Sequence, residues 1–259
     1  MKALVLSAGY GERLRPLTNG VPKPILEVGG RPLIHYPLLM LRRAGIVDVA
    51  INVHHLAEVV EKSLGDGGAL GLRITYSPEP TLAGTGGPLL ALREYFDNET
   101  FVLLNCDTII DLELRAMIEF HRQAGALATF LLRASGDADA YSRIECDGGG
   151  RIRRMRLLKG RTPGDFADYP ERIGPDEAAA LRPYMYCGVM VCEPDVLAMT
   201  PAAPPFSLMT QVFAPALARG AALYGFVHRG YFRTVDDLAG YEALRAELAA
   251  APPPLGYLD

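Results

Sequence analysis

Short apolar, β-prone runs alternate with longer stretches of helical spacing through the first half of the chain. The extended runs are Ala3–Leu6, Asp48–Val53, Arg73–Tyr76, Phe101–Leu104 and Ala128–Leu132. Between them, Leu33–Ala44, Ala57–Leu64, Pro88–Tyr95 and Leu112–Ala124 carry apolar residues at helical spacing, which predicts helices with one buried face. Alternation of this kind predicts an α/β fold: a doubly wound, mostly parallel, Rossmann-like sheet with helices on both faces and right-handed crossovers. Ligands of such sheets sit at the carboxyl ends of the strands, which is where the loop after Leu6 lies.

The second half is less regular. Ile144 to Met155 predicts a hairpin turning at Asp147-Gly148-Gly149-Gly150. Lys159 to Pro183, rich in Pro, Gly and charge, predicts a long surface excursion. Tyr186–Cys192 and Ala221–His228 have strand patterns, while Leu208–Arg219 and Leu238–Ala250 have helical ones, the last ended by Pro252–Pro254. No repeat or interdomain linker is visible, so residues 1–259 are expected to form one domain with a small β-rich excursion.

Composition narrows the classes of partner. The 259 residues are 49% hydrophobic and 22% charged, as in ordinary soluble domains. A net charge of −4 gives no broad pull toward nucleic acid or anionic lipid. No apolar run approaches a membrane span, and the N-terminus lacks a signal-peptide n-region, so a cytoplasmic location is expected. Cys106, Cys146, Cys187 and Cys192 have no CxxC spacing and are expected as buried small hydrophobes rather than zinc ligands.

The first strand breaks into a loop holding Gly9 and Gly11, followed by Arg13, Arg15 and Lys23. Glycines let backbone N–H groups approach phosphate oxygens, and guanidinium and ammonium groups neutralise phosphate charge. An ordinary turn with solvated cations is the plain alternative. Pro22 and Pro24 weigh against it, because they fix the backbone and aim the Lys23 side chain. The spacing fits neither GxGxxG nor GxxxxGK[ST].

Taken whole, this segment resembles the signature of the sugar-1-phosphate nucleotidyltransferases. The pattern is met by Gly9, Gly11, Arg13, Leu14, Pro16, Leu17, Thr18, Pro22, Lys23 and Pro24. The resemblance implies a nucleoside triphosphate over the loop, with Leu6, Ala8, Gly9 and Gly11 at the nucleotide and Arg13 and Lys23 as catalytic cations. It also implies a nucleotide-binding half over about 1–135 and a sugar-phosphate-binding half over about 136–259.

Other candidates gain meaning beside it. Asp107 ends an apolar strand, where a hard oxygen ligand can hold Mg²⁺ against triphosphate oxygens; a turn or helix-cap aspartate is the alternative. The resemblance places Asp107 on the family's metal aspartate. In Pro78 to Gly87 a glycine loop opens a helix. Its backbone can meet a flat base, with Glu79 and Thr85 offering side-chain hydrogen bonds to the nucleotide, and a helix-capping loop is the equal alternative. The resemblance places Gly84, Thr85 and Gly86 at the nucleotide. Lys159 sits where relatives carry a glutamate-lysine-proline that holds the sugar phosphate, although here the triplet is Leu158-Lys159-Gly160. Gly188, in Tyr186-Cys187-Gly188-Val189, resembles the glycine brought to the sugar ring; a packing glycine is equally compatible.

The C-terminal signature departs from the pattern. Relatives carry an aromatic-x-aspartate whose carboxylate is the second metal ligand, but here Phe232 is followed by Thr234, and the carboxylate appears at Asp236. A step of two along an extended segment keeps a side chain on the same face, so Asp236 can take the role. Loss of the metal site, or a helix-cap role for Asp236 or Asp237, is the competing possibility. His54-His55 is the one close histidine pair; its place just after a strand allows a substrate contact, but a partly exposed loop role is expected.

The expectation is therefore a Mg²⁺-dependent enzyme joining an NTP and a sugar 1-phosphate to give an NDP-sugar and pyrophosphate. No nucleic acid or membrane partner is expected, and homo-oligomerisation is left open. Two alternatives stay in play: a non-catalytic nucleotide-sugar-binding regulatory protein, and a cytidylyltransferase acting on a non-sugar phosphate. The chain is short for the family and shows no β-helix repeats after the expected catalytic domain.

Overall fold

The computed structural model describes residues 1–134, 141–160, 165–170, 172–251 and 255–258. The chain begins with β1 (Lys2–Leu6), β2 (Glu27–Val28), β3 (Arg31–Pro32), α1 (His35–Arg43), β4 (Asp48–Val53), α2 (Ala57–Leu64) and β5 (Arg73–Pro78). There follow α3 (Gly87–Ala91), β6 (Phe101–Asn105), β7 (Thr108–Ile110), α4 (Leu114–Gln123), β8 (Ala128–Arg133), β9 (Arg143–Cys146) and β10 (Ile152–Leu158). Next come β11 (Phe166–Tyr169), α5 (Pro175–Ala180), β12 (Arg182–Cys192) and α6 (Asp195–Ala198). A π-helical turn over Met209–Phe213 runs into α7 (Ala214–Ala218), before β13 (Leu223–Val227), β14 (Phe232–Thr234) and α8 (Leu238–Ala250).

These elements form two compact units, each discontinuous in sequence. The first comprises Met1–Leu82, Phe101–Leu114 and Gly230–Asp259; the second comprises Ala83–Thr100 and Arg115–Arg229.

In the first unit β6, β1, β4 and β5 lie side by side, all parallel. Ala3, Leu4 and Val5 on β1, Val49, Ala50 and Ile51 on β4, and Phe101 to Leu104 on β6 are all buried, whichever way the side chain points. Burial on successive residues means that both faces of these strands are covered, as the apolar runs predict. The chain goes from β1 to β4 and β5 on one side, then returns to place β6 on the other side of β1. Such a reversal opens a crevice at the carboxyl end of the central strand, where α/β sheets bind ligands. A short antiparallel ladder of β7 and β14 joins the middle of the chain to its C-terminal part.

The second unit is β-rich, and its described strand pairs are mostly antiparallel. Only β8 and β13 pair in parallel; β8 with β12, β12 with β9, β9 with β10 and β10 with β11 are antiparallel among the described residues. The β9–β10 hairpin turns at Asp147 to Gly150, where the Asp147 carboxylate accepts from the N–H groups of Gly149 and Arg151. The stretch expected as a surface excursion carries β11 and α5, neither with a buried residue, and residues 161–164 and 171 lie outside the described residues, as does the run 252–254. The helix expected over Pro88–Tyr95 ends at Ala91, and the chain turns through Asp97 and Asn98 at φ of 49° and 56°.

All four cysteines are free and buried, and burial pushes the Cys106, Cys146 and Cys187 thiols up to about 12. They are neutral packing groups at physiological pH. No helix among the described residues is long and apolar enough to cross a membrane.

Candidate active site

Leu6 stands opposite Asn52 on one side and Asn105 on the other, so β1, β4 and β6 end level with one another. The loop after β1, the His54-His55 pair after β4 and the Cys106-Asp107 turn after β6 therefore leave the sheet at one edge. The Cys106 N–H donates to the Leu6 carbonyl at 3.1 Å, and the Ser7 N–H donates to Asn52 Oδ1 at 2.8 Å. Leu6 and the buried Ala8 thus form the floor from which the glycine loop rises.

The two loop glycines have different reasons to be glycine. Gly11 has φ +63°, and a Cβ there would come 2.9 Å from Thr18 Cγ2. Gly9 has nothing within 4 Å of where a Cβ would stand. The chain itself makes no demand for glycine at Gly9, and the backbone there is left open to a close approach from outside.

Two cations follow on short 3-10 turns, Arg13 in Glu12–Leu14 and Lys23 in Lys23–Ile25. Lys23 Nζ donates to Asp107 Oδ2, and this pair is largely buried. Burial alone would lower the Lys23 pKa, but Asp107 foremost, with Cys106 and Asp236, raises it above the ordinary lysine value. Lys23 is a fixed positive charge between two carboxylates from distant parts of the chain.

Asp236 arrives through the β7–β14 ladder. Thr234 pairs with Thr108 in antiparallel register, so the chain beyond Thr234 runs back toward Asp107. Arg13 Nη2 donates to Asp236 Oδ1 at 2.9 Å. The helix-cap role belongs to its neighbour: Asp237 accepts from the Gly240 N–H at 2.8 Å and starts α8. Asp236 is left to face the cations.

The carboxylates suit a hard cation. Asp107 is 8% exposed, and its Oδ1 is buried with no hydrogen-bond partner among the described residues. An orphaned carboxylate oxygen is costly unless a ligand completes it. No group of three or more His, Cys, Asp or Glu side chains among the described residues could hold a metal ion by itself. One or two carboxylates, completed by phosphate oxygens and water, is the usual Mg²⁺ arrangement on a nucleotide, so the donor set fits that ion.

Glu79 lies 9% exposed just past β5, where its Oε1 accepts from Asn52 Nδ2 at 2.7 Å. Through Asn52 it is tied to the backbone of Ser7, at the root of the glycine loop. The first unit thus brings together Leu6, Ala8, Gly9, Gly11, Arg13, Lys23, Glu79, Asp107 and Asp236.

The remaining candidates belong to the second unit. Gly84, at φ +75°, and Gly86 pack so closely on Phe206 that a Cβ on either would overlap it. The Gly86 N–H donates to the Phe206 carbonyl at 3.0 Å, and Thr85 Oγ1 accepts from the Leu208 N–H at 3.0 Å. Packing therefore explains these glycines without a ligand. Gly188, at φ +75°, falls where the β8–β12 register breaks between Tyr186 and Met190, a bulge that glycine accommodates. Lys159 follows β10 as an exposed side chain 3.6 Å from Asp165.

Tyr10 has no role in the sequence expectations, and His54 and His55 are expected there as loop residues rather than as members of this site. Tyr10 Oη and His54 Nε2 are 3.0 Å apart, and His55 Nε2 is 2.9 Å from the Thr18 carbonyl. The signal was their place: two histidines at the end of the strand beside β1.

An α/β sheet with a glycine loop at its reversal point, two cations and two facing carboxylates is an arrangement suited to nucleotide phosphates. The family model described as nucleotidyl transferase matches residues 2–156. The chain belongs to the sugar-1-phosphate nucleotidyltransferase family. It is 30% identical over 237 residues to a UTP–glucose-1-phosphate uridylyltransferase of Synechocystis sp., covering 86% of this chain and 57% of that protein. It is 31% identical over 260 residues to a mannose-1-phosphate guanylyltransferase of Mycobacterium tuberculosis, covering 98% of this chain and 67% of that protein. The fold matches a crystal structure of a candidate glucose-1-phosphate thymidylyltransferase from Bacillus anthracis in complex with sucrose. That match has a TM-score of 0.77 and 20% identity, covering 96% and 95% of the two chains. The chain thus spans only about three-fifths to two-thirds of the length of these two curated relatives.

Proposed function

We propose that the protein transfers a nucleoside monophosphate from an NTP to a sugar 1-phosphate. A phosphate oxygen of the sugar 1-phosphate attacks the α-phosphorus in line. The new P–O bond forms as the bond to the α,β-bridging oxygen breaks, and pyrophosphate leaves with that electron pair. One arrangement carries the assignment: the Lys23–Asp107 and Arg13–Asp236 pairs, drawn from the N-terminal, middle and C-terminal parts of the chain to one glycine loop.

The side chains act by position and charge. Arg13 and Lys23 stabilise the negative charge that builds on the triphosphate as the bond to pyrophosphate breaks. Backbone N–H groups around Gly9 and Gly11 receive phosphate oxygens, and the open space over Gly9 supports that use. Asp107 and Asp236 would hold Mg²⁺, which supplies charge neutralisation and alignment of the phosphate oxygens when bound. No protein nucleophile is required, because the acceptor phosphate is itself the nucleophile.

Glu79, tied through Asn52 to the root of the glycine loop, is assigned to the nucleotide. The glucose and mannose 1-phosphates in the relatives' names support a hexose 1-phosphate as acceptor. A pyrophosphate-release screen tests the function, crossing four NTPs with hexose and alcohol phosphates, with and without Mg²⁺. Release that needs one NTP, one sugar 1-phosphate and the metal is expected. Release with alcohol phosphates alone, or with none of the pairs, would remove the assignment.

A further inference from the structure

Tyr10 stands between the two loop glycines as a large aromatic residue that is 40% exposed. An aromatic ring beside a phosphate loop needs a reason, since the phosphates call only for backbone N–H groups and cations. The reason lies in the two histidines at the end of β4.

His54 Nδ1 is 2.7 Å from the Glu79 carbonyl oxygen. A carbonyl only accepts, so Nδ1 carries the proton, and in the neutral ring Nε2 is left as an acceptor. Tyr10 Oη, 3.0 Å away, donates to it. The Tyr10 ring also lies edge-on to His54, with centroids 5.3 Å apart, and tilted against His55 at 5.6 Å. His55 Nε2 in turn donates to the Thr18 carbonyl at 2.9 Å. Thr18 is 1% exposed, and its hydroxyl donates to the Gly11 carbonyl at 2.9 Å.

The loop is therefore tied at its tip through Tyr10 and at its base through Thr18. Both ties end on adjacent residues immediately after the buried strand β4. We propose that His54 and His55 are positioning residues that hold the glycine loop in its triphosphate-receiving shape before the nucleotide arrives. This rests on the nucleotidyl-transfer function above. Glycine-flanked backbone has many accessible conformations, and ordering it at the moment of binding weakens affinity. Ties made on folding remove that cost from the binding step, so their loss lowers NTP affinity and leaves the bond-breaking step nearly intact.

The conservative variants separate this role from packing. Tyr10→Phe removes only the hydroxyl and keeps the ring. His54→Asn places an amide N–H where Nδ1 was, keeping the Glu79 carbonyl but losing the reach to Tyr10. Tyr76→Phe is the control, since it removes a tyrosine-to-carbonyl hydrogen bond of 2.7 Å to Gly65, outside this network.

The experiment measures amide exchange over residues 9–14, NTP affinity by calorimetry, and KM and kcat for the full-length protein. Tyr10→Phe and His54→Asn should each speed exchange over 9–14 and weaken NTP binding roughly three- to tenfold, as for one neutral hydrogen bond. KM for the NTP should rise in step, with kcat and KM for the sugar phosphate within about twofold and unfolding midpoints close to wild type. The double variant should be no worse than either single one, because both break one bond. Wild-type exchange and affinity in both variants, or fully additive losses, would overturn the proposal while nucleotidyl transfer stands. A wild-type protein that binds no NTP would overturn both together.

Discussion

Thr234 and Thr108 are cross-strand partners in the antiparallel β7–β14 ladder, and this register decides which carboxylate returns to the glycine loop. Asp107 lies one residue before Thr108, and the chain after Thr234 runs toward it. Asp236 emerges with its carboxylate on Arg13. The shift of the acidic residue from 234 to 236 moves the carboxylate along the chain and keeps it beside the cations. Asp236→Asn should therefore lower kcat by about 10² or more, as for loss of one charged group acting at a developing charge. Thr234→Val should change kcat by less than about threefold, since no charge is removed and a β-branched residue suits the strand. Steady-state rates of the two variants check this; equal losses would place the second carboxylate role elsewhere.

Lys23 serves both folding and catalysis, and the two can be separated. Lys23→Met keeps the stem but leaves the Asp107 carboxylate buried without its cation. Turnover should fall by about 10² to 10³, and the unfolding midpoint should fall as well, because an unpaired buried charge is destabilising. Adding Asp107→Asn should recover the midpoint and none of the turnover. Thermal unfolding and pyrophosphate release on the three proteins give the comparison.

The glycines should divide by function. Gly9→Ala meets no atom within 4 Å, so its unfolding midpoint should stay near wild type while NTP affinity drops. Gly84→Ala must hold φ near +75° with its methyl against the Phe206 carbonyl. It should cost about 1–3 kcal/mol of stability. Chemical denaturation together with NTP titration separates the two.

Stability should depend on pH through His121. Its ring is buried between Thr129 Oγ1 and Glu193 Oε1, each 2.9 Å away. Burial lowers its pKa below 6.5, and Arg122 lowers it further, outweighing the pull of Glu193 in the other direction. The unfolded chain therefore binds more protons than the folded one as pH falls below 6.5. Stability is complete above that value and is lost as pH falls toward the lower folded value. His35 is shifted in the same direction by burial and Arg31 and adds to the slope. Denaturation free energies between pH 7.5 and about 5 should fall in wild type and fall less steeply in His121→Gln. A flat wild-type profile would contradict this.

The most regular patterns in the sequence became elements with the bounds they predict. Asp48–Val53, Ala57–Leu64 and Leu238–Ala250 are a strand and two helices over those same residues. Periodicity, helix-forming composition and caps such as Asp237 make such segments legible. The β7–β14 ladder was not legible: each strand has three residues, and their partners lie more than a hundred positions apart. No local pattern records such a pairing. The antiparallel second unit was hidden for a similar reason, because strand direction follows from connections rather than from composition. Among site residues, the cations and carboxylates stood out by motif. Tyr10, His54 and His55 did not, since what makes them matter is the level ending of β1 and β4.

The destination of the α-phosphate tests the central claim most directly. The protein is incubated with each NTP labelled at the α-phosphorus, together with hexose 1-phosphates and Mg²⁺, and the labelled products are separated. The label should pass into an NDP-sugar in step with release of unlabelled pyrophosphate, and both should disappear in Lys23→Met. Label that stays in the NTP, or appears only as free NMP, would contradict nucleotidyl transfer to a sugar phosphate.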